Sequence, residues 1–380
     1  MTTSNTTGAE HQGQIVARYR KIKKWSRSKL AEKLGVDVST VYRMEKHQVI
    51  KNPVRRQFLV GLLGIPAVLL GLDDERQPAP TSIVLNHDRM AFFEDVMATR
   101  WDVYHTGGTI RAHRGLNIWL KQAEDFAQET GGSIWHERAY SLLSMSYQLQ
   151  GSILRDMMQY DQAHTAYEKA FQVAEELDDP ELQAATFARR GVTSIQQNMP
   201  TEAITYLNGA LKLVNGLGLP CLRGYILQAL SEAYAMAQQA GQCWRHIDLA
   251  QRSLERRGEV LERSNCYPNT SSILAQKGVN AVLLGDNDYA IALIDKSLLK
   301  YDHAFVRGRA RLMAQKAEAY YGLGWLDMSV TTAEEALTLA RSVGSTKQIA
   351  RVRNLSTAMI QSRWRNESSV AGLGMLLALQ

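Results

Sequence analysis

Apolar residues recur at helical spacing along most of the chain. From Asp88 to about Arg365 they follow the three- and four-residue steps of a helix that buries one face, and no segment alternates like a half-buried strand. Before this region, residues 14–72 show shorter helical runs separated by polar and glycine-containing turns. We therefore expect an all-α fold, with a compact bundle of short helices followed by a long helical array.

The long array is repetitive. A small residue, a bulky residue four positions later and a second small residue after three more recur about every 40 residues. These triplets are Ala163/Tyr167/Ala170, Ala203/Leu207/Ala210, Cys243/Ile247/Ala250, Ala290/Ile294/Ser297 and Ser329/Ala333/Ala336, the last with alanine in place of the bulky residue. Small residues allow two antiparallel helices to approach, while the bulky residue fills the groove between them. The pattern predicts stacked helix pairs in which each triplet lies on the second helix.

The two ends of the array are less regular. Residues 88–130 suggest one further, degenerate helix pair, with inward positions Phe92/Val96/Trp101 and Ile118/Ala123/Phe126. Thr346 to about Arg365 is expected to form a capping helix. The apolar tail after it has no periodic polar positions, and its role stays unassigned.

The N-terminal bundle is predicted to contain three short helices. They run from about Gln14 to Trp25, Arg27 to Leu34 and Val38 to about Lys46. Helix one presents Ile15, Tyr19 and Ile22 on one face. Ser26 and Asp37 have the side chains of N-caps for helices two and three, and Gly35 is expected to end helix two. On helix three, Val41 and Met44 should point inward.

Residues 54–72 allow two interpretations, because Arg55 and Arg56 precede an apolar run as in a twin-arginine export signal. The run from Phe58 to Leu72 is interrupted by glycines and Pro66 and is shorter than the roughly 20 residues of a membrane-spanning helix. We favour a buried core segment over an export signal.

Charge is unevenly distributed. Residues 1–60 hold thirteen Lys and Arg against four acidic residues, a balance of +9, whereas the whole chain carries +6. A basic head on a mildly acidic body favours a polyanionic partner for the head. The odd number of cysteines without a CxxC pair and the lack of a signal peptide predict a cytoplasmic protein.

These patterns define the expected domains. They are a disordered arm at 1–12, a basic helical head at 13–72, a linker at 73–87, a repeat domain at 88–365 and a tail at 366–380.

Sequence motifs for catalysis are incomplete. His136-Glu137 lacks the second histidine of a zinc protease helix, and Cys243 with His246 lacks a second pair of ligands. Asp286–Asp288 lacks the glycine and distant glutamate of a calcium loop. We expect a non-enzymatic protein without metal or cofactor.

The basic head resembles a known family of DNA-binding proteins. Residues 26–36 and 39–45, followed by Asn52-Pro53 and a leucine-rich helix, are similar to the helix-turn-helix of Cro and the lambdoid repressors, the XRE family. The alternative is an ordinary three-helix bundle without a ligand. The family usually has Gln at the position of Arg27 and often Asn-Gly at Lys46-His47, so the geometry of the Arg27 contact is in doubt.

The resemblance implies that helix three enters the major groove of double-stranded DNA. Its expected base-contacting residues are Val38, Ser39, Thr40 and Arg43. Its expected phosphate-contacting residues are Ser26, Arg27, Lys29 and Lys46. Arg43 would favour guanine. Glu45 is expected to be structural, paired with Arg18 or Arg20.

The array resembles tetratricopeptide repeats, although its period exceeds their roughly 34 residues. Such repeats commonly bind peptides or partner helices on the concave side, which the first helices line. The candidate effector residues on these helices are Tyr225, Gln228, Glu232, Asn280, Arg311, Glu318 and Tyr321. For any one of them, a solvated helix face is an equally good interpretation.

Together, head and array resemble the peptide-pheromone-sensing regulators of Gram-positive bacteria. This resemblance implies a homodimer on a two-fold operator, with a peptide effector that binds two arrangements of the protein with different affinities. Two alternatives stay open: repeats that bind a folded protein partner, and a scaffold with a vestigial head.

Overall fold

The computed structural model describes residues 10–34, 36–72, 83–131, 133–255, 262–266 and 268–379. Over these residues the chain forms helices and turns without strands, which confirms the all-α prediction. They divide into two compact units, residues 10–95 with 121–143 and residues 96–120 with 144–379. Residues 1–9 of the predicted arm, the predicted helix end at Gly35 and residues 73–82 of the predicted linker lie outside the described residues. Within the described ranges, every helix falls short of the length and apolarity needed to cross a membrane.

The first unit contains the N-terminal bundle. Its helices are α1 (Gln12–Ile22), α2 (Arg27–Leu34), α3 (Val38–Lys46) and α4 (Pro53–Leu63), followed by a 3-10 turn at Ala67–Leu70. Their shared core includes the fully buried Val16, Leu30, Val41, Leu59 and Leu70. Met44 is also buried, so both inward positions predicted for helix three are confirmed.

The predicted inward face of helix one was wrong at Ile22, which is 66% exposed. Ile22 is the last residue of α1, and the chain leaves the helix through Lys24 in the left-handed region. Ile15 is buried as predicted, and Val16 and Arg20 supply the other inward positions of the helix.

The apolar run after Arg56 is divided between two elements of the core. Gly64, at φ +71°, ends α4, and the 3-10 turn then brings Leu70 back into the bundle. Arg56 Nη1 donates to the carbonyl oxygens of Leu70 at 2.9 Å and Gly71 at 3.3 Å. The segment therefore supplies buried residues to the core, as predicted, although Val68 and Leu69 within it are exposed. Arg56 is a structural part of it.

Four further helices follow. They are α5 (Ile83–Asp102), α6 (Thr109–His113), α7 (Leu116–Glu129) and α8 (His136–Asp156), with a π-helical turn at Val103–Gly107. The predicted phase of α5 and α7 was wrong at Phe92 and Ile118, which are 60% and 69% exposed. Phe93 takes the inward position instead and stacks on Phe126 with ring centroids 4.6 Å apart. Apolar residues are irregularly spaced in this region, so the sequence did not show which of two adjacent residues faces inward.

The second unit contains the repeats. After α8 come α9 (Tyr160–Glu176), α10 (Pro180–Gln196), α11 (Pro200–Leu213), α12 (Pro220–Met236), α13 (Ala240–Glu255), α14 (Thr270–Leu283), α15 (Asn287–Leu298), α16 (Val306–Leu323), α17 (Leu326–Ser342), α18 (Thr346–Ile360) and α19 (Ser368–Ala378). All five predicted triplets lie on the second helices of hairpins, and every one of their residues is fully buried. The predicted repeat phase is confirmed.

Glycines on first helices make the close packing possible. A Cβ atom at Gly191 would lie 2.6 Å from Leu207 Cγ, and one at Gly278 would lie 2.7 Å from Ile294 Cγ1. Leu207 and Ile294 are the bulky middle residues of their triplets. Each therefore packs directly against the backbone of the partner helix.

The C-terminal tail forms α19. Val370, Leu373 and Leu377 are buried in a core shared with Leu355 and Met359 of α18. The apolar residues of the tail, unassigned from sequence, thus cover the end of the last repeat.

Candidate DNA interface and effector cavity

The N-termini of α2 and α3 are each held by a side-chain cap. Ser26 Oγ accepts a hydrogen bond from the Lys29 backbone N–H at 3.0 Å. Asp37 accepts from the backbone N–H groups of Ser39 and Thr40, at 2.7 and 3.1 Å. Both predicted N-caps are confirmed.

A buried carboxylate ties the three helices together. Glu45 Oε1 accepts from Arg20 Nε at 2.5 Å, and Oε2 accepts from Arg27 Nε at 2.7 Å. Burial opposes the ionised form of Glu45, but the hydrogen bonds from Arg20 and Arg27 hold its pKa below the usual value. The predicted structural role of Glu45 is confirmed with Arg20 as partner, whereas Arg18 pairs with Glu10.

The outward face of α3 carries the predicted base-contacting residues. Val38 is 43% exposed, and Ser39, Thr40 and Arg43 are half-buried. The Ser39 and Thr40 hydroxyls donate to Asp37. Arg43 Nη2 lies 3.3 Å from Thr40 Oγ1, so these two side chains meet one turn apart on the same face.

The predicted phosphate-contacting residues have local partners. Arg27 keeps 44% of its side chain exposed while its Nε is held by Glu45, and Lys29 pairs with Glu32 at 2.8 Å. Ser26 and Lys46 are exposed. The four side chains therefore remain on the surface of the bundle.

Tyr42 belongs to the same surface and was missed by sequence analysis. It is 44% exposed, and its ring lies 4.4 Å from Lys46 Nζ and 5.2 Å from the Arg27 guanidinium carbon. The hydrogen bond and positive charge of Lys46 lower the Tyr42 pKa. Its position four residues after Val38 and four before Lys46 was the available signal, since these positions share one helical face.

The second unit encloses a cavity of about 510 Å³. Its wall is formed by the end of α5, the π-helical turn, the first helices α8, α10, α12, α14 and α16, the start of α18 and two connecting segments. It lies along the inner side of the repeats, where effector binding was predicted.

Four of the seven predicted effector residues line this cavity. They are Tyr225, Gln228, Glu232 and Arg311. Asn280 is fully buried behind the wall, where its amide donates to Ser231 Oγ at 3.0 Å and accepts from Gln276 at 2.9 Å.

The two other predicted residues lie outside the cavity lining. Glu318 accepts two hydrogen bonds of 2.7 Å from Arg351, and the Tyr321 hydroxyl donates to the Ala358 carbonyl at 3.2 Å. Both therefore bind α16 to α18. Sequence periodicity placed all three residues on first helices, but it could not show which partners occupy their polar groups.

The main feature missed from sequence is a cluster of cations, of which Arg155 and Arg189 are buried and the others half-buried. The cavity is lined by Arg155, Arg189, Arg307, Arg311 and Lys347, together with the acidic Asp156 and Glu232. The cations come from four helices spread over almost two hundred residues, so no local motif reveals them. A basic residue at an inward position of a first helix was the available signal.

Two carboxylates organise the cluster through three ion pairs. Asp156 Oδ2 accepts from Arg307 Nη1 at 2.6 Å and from the Tyr104 hydroxyl at 2.9 Å, while Arg155 Nε lies 3.2 Å from Asp156 Oδ1. Glu232 accepts from Arg311 at 2.7 Å. Each carboxylate is held ionised, because its arginine partners outweigh the desolvation that would raise its pKa.

Lys347 lies close to both carboxylates. Burial, followed by the charge of Arg311, lowers the pKa of Lys347 from 10.5 to about 7. Its Nζ lies 3.0 Å from the side-chain amide of Gln196, turned so that the oxygen accepts. Lys347 thus changes charge near neutral pH inside the cavity.

Comparisons with known proteins identify the repeats. The tetratricopeptide repeat model matches residues 146–177 and 310–343, which span α8 with α9 and α16 with α17. The chain therefore contains tetratricopeptide repeats. No curated protein shows significant sequence similarity to it.

Two solved structures are distantly similar. BtubC (BKLC) from P. vanneervenii is 15% identical, with 60% of this chain and 92% of that chain covered and a TM-score of 0.43. PlcR from Bacillus thuringiensis, solved in complex with the peptide PapR7 and DNA, is 13% identical. The match covers 93% of this chain and 100% of that chain, with a TM-score of 0.35.

Proposed function

We propose that this protein is a cytoplasmic, homodimeric transcription regulator of the XRE type. The single observation that carries the proposal is the outward face of α3, which presents Thr40, Tyr42, Arg43 and Lys46 within a segment of net charge +9. In helix-turn-helix proteins this helix contacts base edges in the major groove, while flanking cations contact phosphates. The two N-caps and the buried Glu45 cluster give α3 a fixed position relative to α2.

The repeat unit supplies the effector site in this proposal. The cavity has a size common for ligand sites, roughly 300–1,000 Å³, and polar groups converge on it from several helices. Its ligand regulates DNA binding if it binds the DNA-competent and incompetent arrangements with different affinity.

The DNA-binding part is tested with an operator selected in vitro from random duplexes. Arg43→Ala should lose roughly 1–3 kcal/mol of discrimination against a mismatched guanine position. Lys46→Ala should weaken binding to all sequences and reduce the salt slope by about 1. Lys212→Ala, an exposed lysine of the repeat unit, is the matched control and should bind like wild type. Unchanged affinity and salt dependence in both head variants at one fixed salt concentration would contradict the assignment.

The effector part is tested by measuring operator affinity with cytoplasmic extract and with a filtrate freed of folded proteins. A change caused by the filtrate supports a small effector. A change caused only by the whole extract indicates a folded protein partner, and identical affinity in extract and buffer contradicts a sensing role.

A further inference from the structure

The inner wall of the cavity has more positive than negative charge. Its cations are Arg155, Arg189, Arg307, Arg311 and Lys347, and its carboxylates are Asp156 and Glu232. Lys300 and Asp302, which also line the cavity, are exposed and balance each other. Apart from this exposed pair, two carboxylates therefore face five cations among the described residues that line the cavity.

Among the described residues, the hydrogen-bond partners of Arg189 are neutral. It is 3% exposed, and its Nη2 and Nη1 donate to the backbone carbonyls of Ser264 at 2.7 Å and Ala185 at 3.3 Å. Its guanidinium also lies 4.8 Å from the Trp101 ring centroid. These contacts satisfy its donors in part but leave its charge without a carboxylate partner in the described part of the chain.

The charge of Lys347 likewise has no carboxylate partner in the described part of the chain. The described residues place no carboxylate oxygen within 4.0 Å of its Nζ, and its nearest polar partner is the neutral amide of Gln196. An unpaired charge is costly to bury, and an anion entering the cavity would remove that cost.

The cavity also offers unused hydrogen-bond acceptors. Gln348, 4% exposed, and Gln228 each have a buried side-chain oxygen without a hydrogen-bond partner in the described residues. Both side chains line the cavity. Carbonyl oxygens of this kind need hydrogen-bond donors. A peptide backbone supplies a series of N–H donors, whereas an ionised carboxylate supplies none.

We propose that the cavity binds a short acidic peptide, with Arg189 and Lys347 holding its carboxylates and Gln228 and Gln348 accepting from its backbone N–H groups. The inference rests on the proposed effector function and adds the chemistry of the ligand. Trp101 Nε1, buried at the cavity wall without a partner in the described residues, is a further donor for a carboxylate oxygen.

The test uses the full chain and three pools of random tetrapeptides. One pool carries a fixed Asp and a free C-terminus, the second a fixed Asn and an amidated C-terminus, and the third a fixed Lys and an amidated C-terminus. Only the acidic pool should raise the melting temperature. A tight binder recovered from it, measured by calorimetry, should bind Lys347→Met at least about tenfold more weakly, as expected for a lost charge-assisted hydrogen bond.

Lys212→Met is the matched control, because Lys212 is an exposed lysine outside the cavity lining, and it should bind like wild type. Arg189→Lys keeps the charge but loses the guanidinium, and it should also weaken binding. Equal stabilisation by the amidated pools, or unchanged affinity in Lys347→Met, would overturn the proposal. Inorganic phosphate or succinate that competes as well as the acidic peptide would overturn its peptide part.

The outcomes separate this proposal from the proposed function. If the cytoplasmic filtrate changes operator affinity while no acidic pool binds, the inference about ligand charge is wrong and the regulator stands. If the acidic peptide binds but Arg43→Ala and Lys46→Ala leave operator binding unchanged, the inference holds and the regulator assignment is wrong.

Discussion

Replacing Lys347 by methionine should stabilise the unliganded protein although it removes a proposed binding residue. Folding lowers the Lys347 pKa from 10.5 to about 7. The unfolded chain then binds the proton more tightly than the folded protein, so the lysine opposes folding. The charged groups with the largest effect on its pKa are Arg311, Glu232, Asp156 and Arg155.

The size of the effect depends on pH. The destabilisation is fully present below about pH 7, falls as pH rises from there to 10.5, and is absent above 10.5. At about 1.4 kcal/mol per pKa unit, its upper bound is roughly 5 kcal/mol. Because Lys347 keeps some solvent contact, we expect Lys347→Met to gain about 2–4 kcal/mol at pH 7.

Urea unfolding followed by tryptophan fluorescence measures this gain at pH 7 and pH 10.5. Comparing the variant with wild type at each pH removes the effect of other titrating groups. The gain should nearly vanish at pH 10.5, and the exposed-surface control Lys212→Met should differ little from wild type at either pH. A variant that is less stable than wild type at pH 7, or equally stabilised at both pH values, would refute the electrostatic reasoning.

Two further predictions concern packing and the buried carboxylate. Glu45→Gln should destabilise the protein by about 2–4 kcal/mol at pH 7, because Arg20 loses its ionic partner. Since folding lowers the Glu45 pKa, this difference should shrink as pH falls below about 4.5, and a pH-independent difference in urea unfolding would contradict it. Gly191→Ala should cost about 1–3 kcal/mol by overpacking Leu207, although alanine favours helix. Increased stability in this variant would show that the helix pair has room to separate.

Local patterns were sufficient to predict the helices and their pairing. The triplet Ala203/Leu207/Ala210 was assigned from spacing alone, and all three residues are fully buried. Ser26 and Asp37 were likewise identified as caps, because a cap bonds within three residues of itself in sequence. Contacts between residues this close in sequence can be predicted from the local pattern alone.

Long-range polar contacts were not predictable in this way. Asn280 was assigned to the effector groove, but Ser231, forty-nine positions away in sequence, occupies its amide. The cavity cations are equally dispersed, and Asp156 and Arg307 are 151 positions apart. Which polar groups remain available to a ligand depends on the stacking of the repeats, and one sequence contains no local signal for it.

The first hairpins share one turn geometry with consequences for how the array can change. Met158, Asp178, Asn198 and Gln238 all have φ between 53° and 62°, and each donates its N–H to the carbonyl three residues earlier. These residues follow one another at multiples of twenty positions. Inserting a single residue into a second helix would rotate the rest of that helix by about 100° and turn its buried triplet away from the partner helix. Duplicating a whole hairpin would keep both the turn and the phase, so the array is expected to lengthen or shorten in evolution by complete hairpins.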